Sequence, residues 1–243
     1  MKEHPGKKSL KIAGEVDPSR DLTKIDTDSD YSKHIGWLFR EIRPRKIVET
    51  GTYLGTGSTA IIASTLKELA IEDCVFYSIE VNPFHYKHAV ENLTESKLID
   101  YVTPVNGLSI ARNLLPKMEE IEEKLVRNLE FEDIFVDHKQ EDRSILYFNE
   151  TNFEDLPDDL LGKYIAEFDY QPDFIMLDSA GHIGFIEFSY VVSILKGPCV
   201  FAIDDIYHVK HHKSLLAMRS DKRFEIIKES KEKFGFCTAR FTP

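Results

Sequence analysis

Along the chain, apolar runs of strand length alternate with longer segments whose apolar residues recur at helical spacing. "KIVET" from residue 46, "CVFYSIEVN" from 74, "YVTPVNG" from 101, "DFIMLD" from 173 and "CVFAIDDI" from 199 read as buried strands. "DYSKHIGWLFREIRP" places Ile35, Leu38, Phe39 and Ile42 on one helical face, and Pro44 ends that helix. "STAIIASTLKEL" reads as a helix beginning near Ser58, and "PFHYKHAVENLTESKL" as the helix after the second strand. Near the end, "KHHKSLLAMRS" predicts a helix, and "RFEIIKES" and "GFCTARF" an antiparallel pair on the sheet edge. Strands alternating with helices imply a parallel sheet with crossovers. The expected fold is α/β: a mostly parallel sheet, a C-terminal antiparallel strand pair, and helices on both faces.

The alternation breaks between the third and fourth strands. Residues 116–130 carry Met118, Ile121, Leu125 and Leu129 on one helical face, and "FEDLPDDLLGKYIAEF" predicts a second acidic helix. The chain therefore reads as a single domain, 1–243, with an N-terminal extension over 1–30 and an acidic helical insertion over 113–170 that serves as a lid or a subunit contact in a homo-oligomer. Charge sharpens this picture. Residues 113–170 hold 17 Asp and Glu against 6 Lys and Arg, so the whole net charge of −11 lies there. A broad basic face for nucleic acid is disfavoured. No run is long enough to span a bilayer and the start lacks the apolar centre of a secretory signal, so no membrane partner and a cytoplasmic location are expected. Cys74, Cys199 and Cys237 share no ligand-like spacing and read as core residues.

The candidate chemistry starts at "ETGTYLGTGS". Gly51, Gly55 and Gly57 fall between the first strand and the next helix, where an open parallel sheet cradles ligands. Their spacing is not that of the dinucleotide fingerprint, and Glu49, two residues ahead, would repel a pyrophosphate. A cationic ligand without phosphate removes the conflict, and S-adenosylmethionine, with its sulfonium and ammonium groups, answers that description.

This segment resembles the first motif of class I S-adenosylmethionine-dependent methyltransferases, a Rossmann-like fold. Its Gly51-x-Tyr53-x-Gly55 core is most similar to the catechol O-methyltransferase-like and type 24 O-methyltransferase families. "YSIEVNPFHYKHAVENLTESKLIDYVTPVNG", "DFIMLDSAGH" and "KGPCVFAIDDI" resemble the later strands of those families, over residues 45–112 and 171–241. The resemblance implies that Glu80 accepts both ribose hydroxyls. It places Glu49, Gly51, Tyr53, Gly55, Gly57 and Ser58 along the methionine portion and Asn106 and Gly107 at the adenine. In metal-dependent relatives, an acid at the Asp178 position and an acid followed by an amide at the Asp204 and Asp205 positions hold Mg²⁺; here the amide is replaced by aspartate. The alternative is that Asp178 positions the methyl group while the other two are loop acids without metal.

His182 lies one position beyond the histidine of the type 24 relatives and, like Asp178, is a candidate base. The cluster His208, Lys210, His211, His212 and Lys213 reads as a solvated first helical turn. The function expected is methyl transfer to an oxygen of a small molecule such as a sugar or natural-product hydroxyl. The rivals are an NAD-type oxidoreductase and a non-catalytic binding protein.

Overall fold

The computed structural model describes residues 28–243; most of the N-terminal extension lies outside them. Helix α1 (Asp30–Ile42) opens on Ser29, whose hydroxyl accepts the Ser32 N–H at 3.0 Å, and closes on Arg43 ahead of Pro44. There follow β1 (Lys46–Thr50), α2 (Ser58–Glu68), β2 (Val75–Glu80), α3 (Pro83–Glu95) and β3 (Thr103–Asn106). After the insertion come β4 (Phe174–Leu177), α7 (Gly184–Ile194), β5 (Cys199–Asp204), α8 (His212–Ser220), β6 (Phe224–Ser230) and β7 (Phe236–Phe241). Within the insertion are α4 (Met118–Ile121), α5 (Arg143–Thr151) and α6 (Leu160–Glu167).

The strands form one sheet in the order β3-β2-β1-β4-β5-β7-β6. Five pair in parallel, and β7 runs antiparallel between β5 and β6. Alternate strand residues feed two cores. Ile47, Phe76, Phe174, Met176 and Val200 pack on α1, α2 and α3, whereas Val48, Ile79, Ile175, Leu177 and Phe201 pack on α6, α7 and α8. Strand order reverses between β1 and β4, which lie side by side in parallel, so the crevice beyond their carboxyl ends is the natural ligand position.

The turn leaving β1 is tied down by a carboxyl group. Glu49 is fully buried, and its oxygens accept hydrogen bonds from Ser58, Thr59 and Ser78 hydroxyls, each at 2.6 Å. One side chain thus joins β1, β2 and the first turn of α2. Thr50 points to the opposite face and donates to Glu187 Oε2 at 3.1 Å. Burial pushes both carboxyls, Glu49 and Glu187, up to about 7.

The insertion differs from its expected form. The periodic segment at 116–130 yields only the single turn of α4 and a π-helical stretch, Glu122–Arg127, because Ile121 is the one residue of its apolar face that becomes buried. Helix α5 stands where none was expected. The second acidic helix begins only at Leu160, since Pro157 breaks its first half and Asp159 caps it, accepting the Gly162 N–H. Leu161 and Ile165 are wholly buried against the sheet. Helix α6 is therefore a crossover helix of the core and not part of a lid.

Two outcomes are expected. Glu49 binds its proton more tightly folded (about 7) than unfolded (4.5), so its contribution is full below the lower value and fades as pH rises through 7. Denaturant titrations of the ligand-free protein should show stability falling between pH 5 and 8; Glu49→Gln should remove up to roughly 3 kcal/mol of that fall, leaving the shares of Glu187 and of the raised aspartates Asp178 and Asp204. An unchanged pH slope contradicts the assignment. Leu161→Ala should cost about 2–5 kcal/mol in urea; a loss below about 1 kcal/mol would show α6 to be peripheral.

Candidate cofactor and acceptor site

Gly51 begins the turn with φ +87°, and a Cβ on it would meet the Asp178 carbonyl oxygen at 1.9 Å. Glycine is required here because the ends of β1 and β4 touch, whatever ligand binds above them. Gly55 (φ +68°) lays the turn on α3, where a Cβ would stand 3.1 Å from Leu93 Cγ. Asn92 of α3 also donates to the Leu54 carbonyl at 2.8 Å. Gly57 is the residue before α2, and the Ser58 hydroxyl is committed to Glu49. Glu49 and Ser58 therefore act beneath the turn rather than on its ligand-facing side.

Glu80 closes β2. Its Oε2 accepts the Tyr53 N–H at 2.7 Å and its Oε1 the Asn82 N–H at 2.8 Å. Tyr53 adopts φ +50°, an uncommon conformation for a non-glycine residue, and its ring packs edge-on to His85 at 4.6 Å. An ionised carboxylate offers about four lone-pair positions. Two are used by backbone and His85 Nδ1 stands 3.7 Å from Oε1, outside hydrogen-bond distance, so acceptor positions remain for a pair of hydroxyls. The residues present thus fit the ribose of the cofactor that the fold implies.

Asn106 and Gly107 bracket the next strand end. The Asn106 amide donates to the carbonyls of Glu80 and Val81, at 2.7 and 3.2 Å, which ties β3 to β2. A Cβ on Gly107 would strike Leu160 Cδ1 at 2.6 Å and the Pro157 carbonyl at 2.7 Å. Backbone hydrogen bonds from Leu108 to Pro157 and from Leu160 to Leu108 seal this turn beneath the end of the insertion.

On the other side of the crevice, Asp178, Asp204 and Asp205 converge, with carboxylate oxygens within 4.8 Å of one another. Lys210 lies among them, its Nζ 2.5 Å from Asp178 Oδ1 and 2.7 Å from Asp205 Oδ2. Burial opposes the ammonium charge, but Asp178 and Asp205 outweigh it and hold its pKa well above the ordinary value. Burial raises Asp178 to about 6 even against the lysine's pull, and burial with two carboxylate neighbours drives Asp204 well above the usual range. The expected solvated turn at 208–213 is thus a different object: His208, Lys210 and His211 are buried, because α8 starts only at His212.

His182 does not join this group. Its ring is buried, with Nε2 3.0 Å from Thr151 Oγ1 and Nδ1 3.7 Å from Glu150 Oε2. Glu150 in turn contacts His138 at 2.9 Å. The histidine fastens α5 to the loop after β4, and Tyr147 of α5 fills the space above Gly181, where a Cβ would come within 2.7 Å of its ring.

Sequence reasoning missed Lys210 and Glu187. Glu187 had a legible signal, a lone carboxylate in the apolar helix "GFIEFSYVVSI". It accepts from Thr50 and Ser179 directly under the β4 end. Lys210 had none, since its partners lie 32 and 5 positions away and only the loop's course brings them together.

The same fold occurs in solved methyltransferases. An O-methyltransferase from Bacillus cereus in complex with SAH is 16% identical over 95% of this chain and 84% of its own, with a TM-score of 0.53. An O-methyltransferase from Streptomyces achromogenes, involved in tomaymycin synthesis and solved with SAM, is 14% identical over 93% and 85%, at 0.53. A methyltransferase from Geobacter sulfurreducens is 13% identical over 93% and 83%, at 0.56. No protein-family model matches the chain, and no curated protein does. At these identities the likeness is one of fold, and the fold is the Rossmann-like one of class I methyltransferases.

Proposed function

We propose that this protein is an S-adenosylmethionine-dependent O-methyltransferase acting on a hydroxyl of a small molecule. The observation that carries the reading is Glu80: a buried carboxylate at the end of β2, oriented by two backbone N–H groups, with acceptor positions to spare beside the glycine turn. An oxidoreductase using NAD would place a pyrophosphate over a G-x-G-x-x-G turn, and the glycines here, at 51, 55 and 57, do not have that spacing, which disfavours it.

Bound S-adenosylmethionine supplies an electrophilic methyl group on a positively charged sulfur. The chain's own task is alignment, which contributes much of the rate in a direct displacement. Glu80 holds the ribose end, the Gly51 turn sets the depth, and the Asp178 carboxylate at the end of β4 is the group that takes the hydroxyl proton. His182, turned toward the insertion, is a positioning residue for the acceptor wall.

That wall is built by the insertion. Phe135 forms a parallel bridge with His208, its N–H donating to the Tyr207 carbonyl at 3.2 Å while its own carbonyl accepts from Val209 at 2.9 Å. His208 Nδ1 accepts the Lys210 N–H, leaving Nε2 3.0 Å from Asp137 of the strap, the segment 131–142 that leads into α5. Residues 131–151 accordingly cross the rim on the acceptor side, as a lid would.

Calorimetry with S-adenosylmethionine tests the cofactor assignment. Glu80→Ala should weaken binding by about 1.5–3 kcal/mol, roughly ten- to hundredfold. Glu80→Gln, which keeps one oxygen for the turn, should show an intermediate loss with an unaltered circular dichroism spectrum. Unchanged affinity in both removes Glu80 from the site. For the lid, Tyr147→Ala should open residues 122–142 to limited proteolysis while leaving S-adenosylmethionine affinity within about twofold; unaltered proteolysis would mean that the strap is held independently of α5.

A further inference from the structure

The three-carboxylate rim is where the family resemblance implies a metal site, but the rim already holds a cation of the chain's own. Mg²⁺ requires oxygens at about 2.0–2.1 Å in near-octahedral array. Here the Lys210 ammonium already contacts Asp178 Oδ1 and Asp205 Oδ2. A dication ligated by those same two atoms would stand within about 5 Å of that ammonium, and the two would repel strongly in a partly buried site. The residues present do not fit a resident divalent metal.

Nor is the lysine a loose surface side chain. It is 7% exposed. Its backbone segment is hydrogen-bonded on one side to the β6–β7 turn, through Ile206 to Gly235 and Tyr207 to Phe234, and on the other to Phe135 of the strap. A Cβ on Gly184, at the start of α7, would lie 2.7 Å from Lys210 Cγ and 2.6 Å from its carbonyl oxygen. The absence of a side chain at 184 is what lets the lysine stem pass into the crevice. Asp205, at φ +56°, turns the chain sharply after β5 so that Lys210 comes back over the strand ends.

We propose that Lys210 is the resident cation of this site, standing where a divalent ion would otherwise sit, and that methyl transfer here is metal-free. The inference rests on the methyltransferase reading above. The ammonium pairs with Asp178 and Asp205, while Asp204 holds its proton more tightly than a solvated carboxyl, so the three acids share a rim; an ammonium offers no open coordination position. The acceptor is therefore activated by proton transfer and not by ligation: an oxygen lone pair forms the bond to the methyl carbon, the carbon–sulfur pair returns to sulfur, and the hydroxyl proton passes to the Asp178 carboxylate. An acceptor of this kind needs one hydroxyl, with no second oxygen placed to chelate an ion.

Titration of the full-length protein with Mn²⁺, followed by the electron paramagnetic resonance signal of the free ion, tests this without knowledge of the acceptor. The wild-type protein should bind Mn²⁺ no more tightly than Asp204→Ala, which removes one carboxylate of the cluster without touching either lysine ion pair, both showing only weak association with the acidic surface. Lys210→Ala, which leaves three uncompensated carboxylates, should bind it at least about tenfold more tightly than wild type, a gain that loss of a structural contact alone would not produce. Stoichiometric binding by the wild type that Asp204→Ala abolishes would overturn the proposal, and this comparison decides the matter even if Lys210→Ala fails to fold. S-adenosylmethionine calorimetry on the same wild-type sample keeps the two readings apart, since absent cofactor binding would sink the functional assignment and leave the Mn²⁺ result standing.

Discussion

Two ion pairs, from Lys210 to Asp178 and from Lys210 to Asp205, decide what the carboxyl rim of this sheet can be. Parallel strands bring their carboxyl ends to one edge, and at the ends of β4 and β5 three of the side chains delivered there are acids. Without a counter-charge they would have to remain protonated or move apart. The lysine supplies the charge from within the chain, and much of the surrounding architecture serves to keep it there: the positive-φ turn at Asp205, the missing side chain at Gly184, and the strap that pairs with its loop. A buried ion pair of this kind costs desolvation on both sides, so its value lies in fixing geometry more than in adding stability.

On the cofactor side, hydroxyl groups do the equivalent work. Glu49 has no cation beside it among its hydrogen-bond partners; three hydroxyls hold it instead, and burial raises it to about 7. Both halves of the crevice thus rest on buried carboxyls satisfied in different ways. Where hydroxyls satisfy the group, it becomes an anchor for the turn above. Where an ammonium does, the acid stays at the rim, in reach of a substrate.

The sheet was legible in the sequence because each strand is a short apolar run bounded by a turn or a helix start, and buried parallel strands leave that trace. The acids at strand ends were legible for the same reason: Glu80, Asp178, Asp204 and Asp205 sit where a run stops. The insertion was not. Its apolar periodicity at 116–130 is real, but the sheet offers that face nothing to pack on beyond Ile121, so the helix shortens. His182 and Lys210 show a second limit. Each is a polar loop residue whose meaning depends on a partner that the chain's path brings near, Glu150 and Thr151 for one, Asp178 for the other, and neither pairing has a local signature.

The most direct test of the account is a crystal structure of the protein grown with S-adenosylhomocysteine and Mn²⁺, with anomalous data collected at the manganese edge. The account requires the ribose hydroxyls on Glu80, no anomalous peak among Asp178, Asp204 and Asp205, and the Lys210 ammonium between Asp178 and Asp205. A manganese peak ligated by those aspartates with Lys210 displaced, or a cofactor bound away from Glu80, would contradict it.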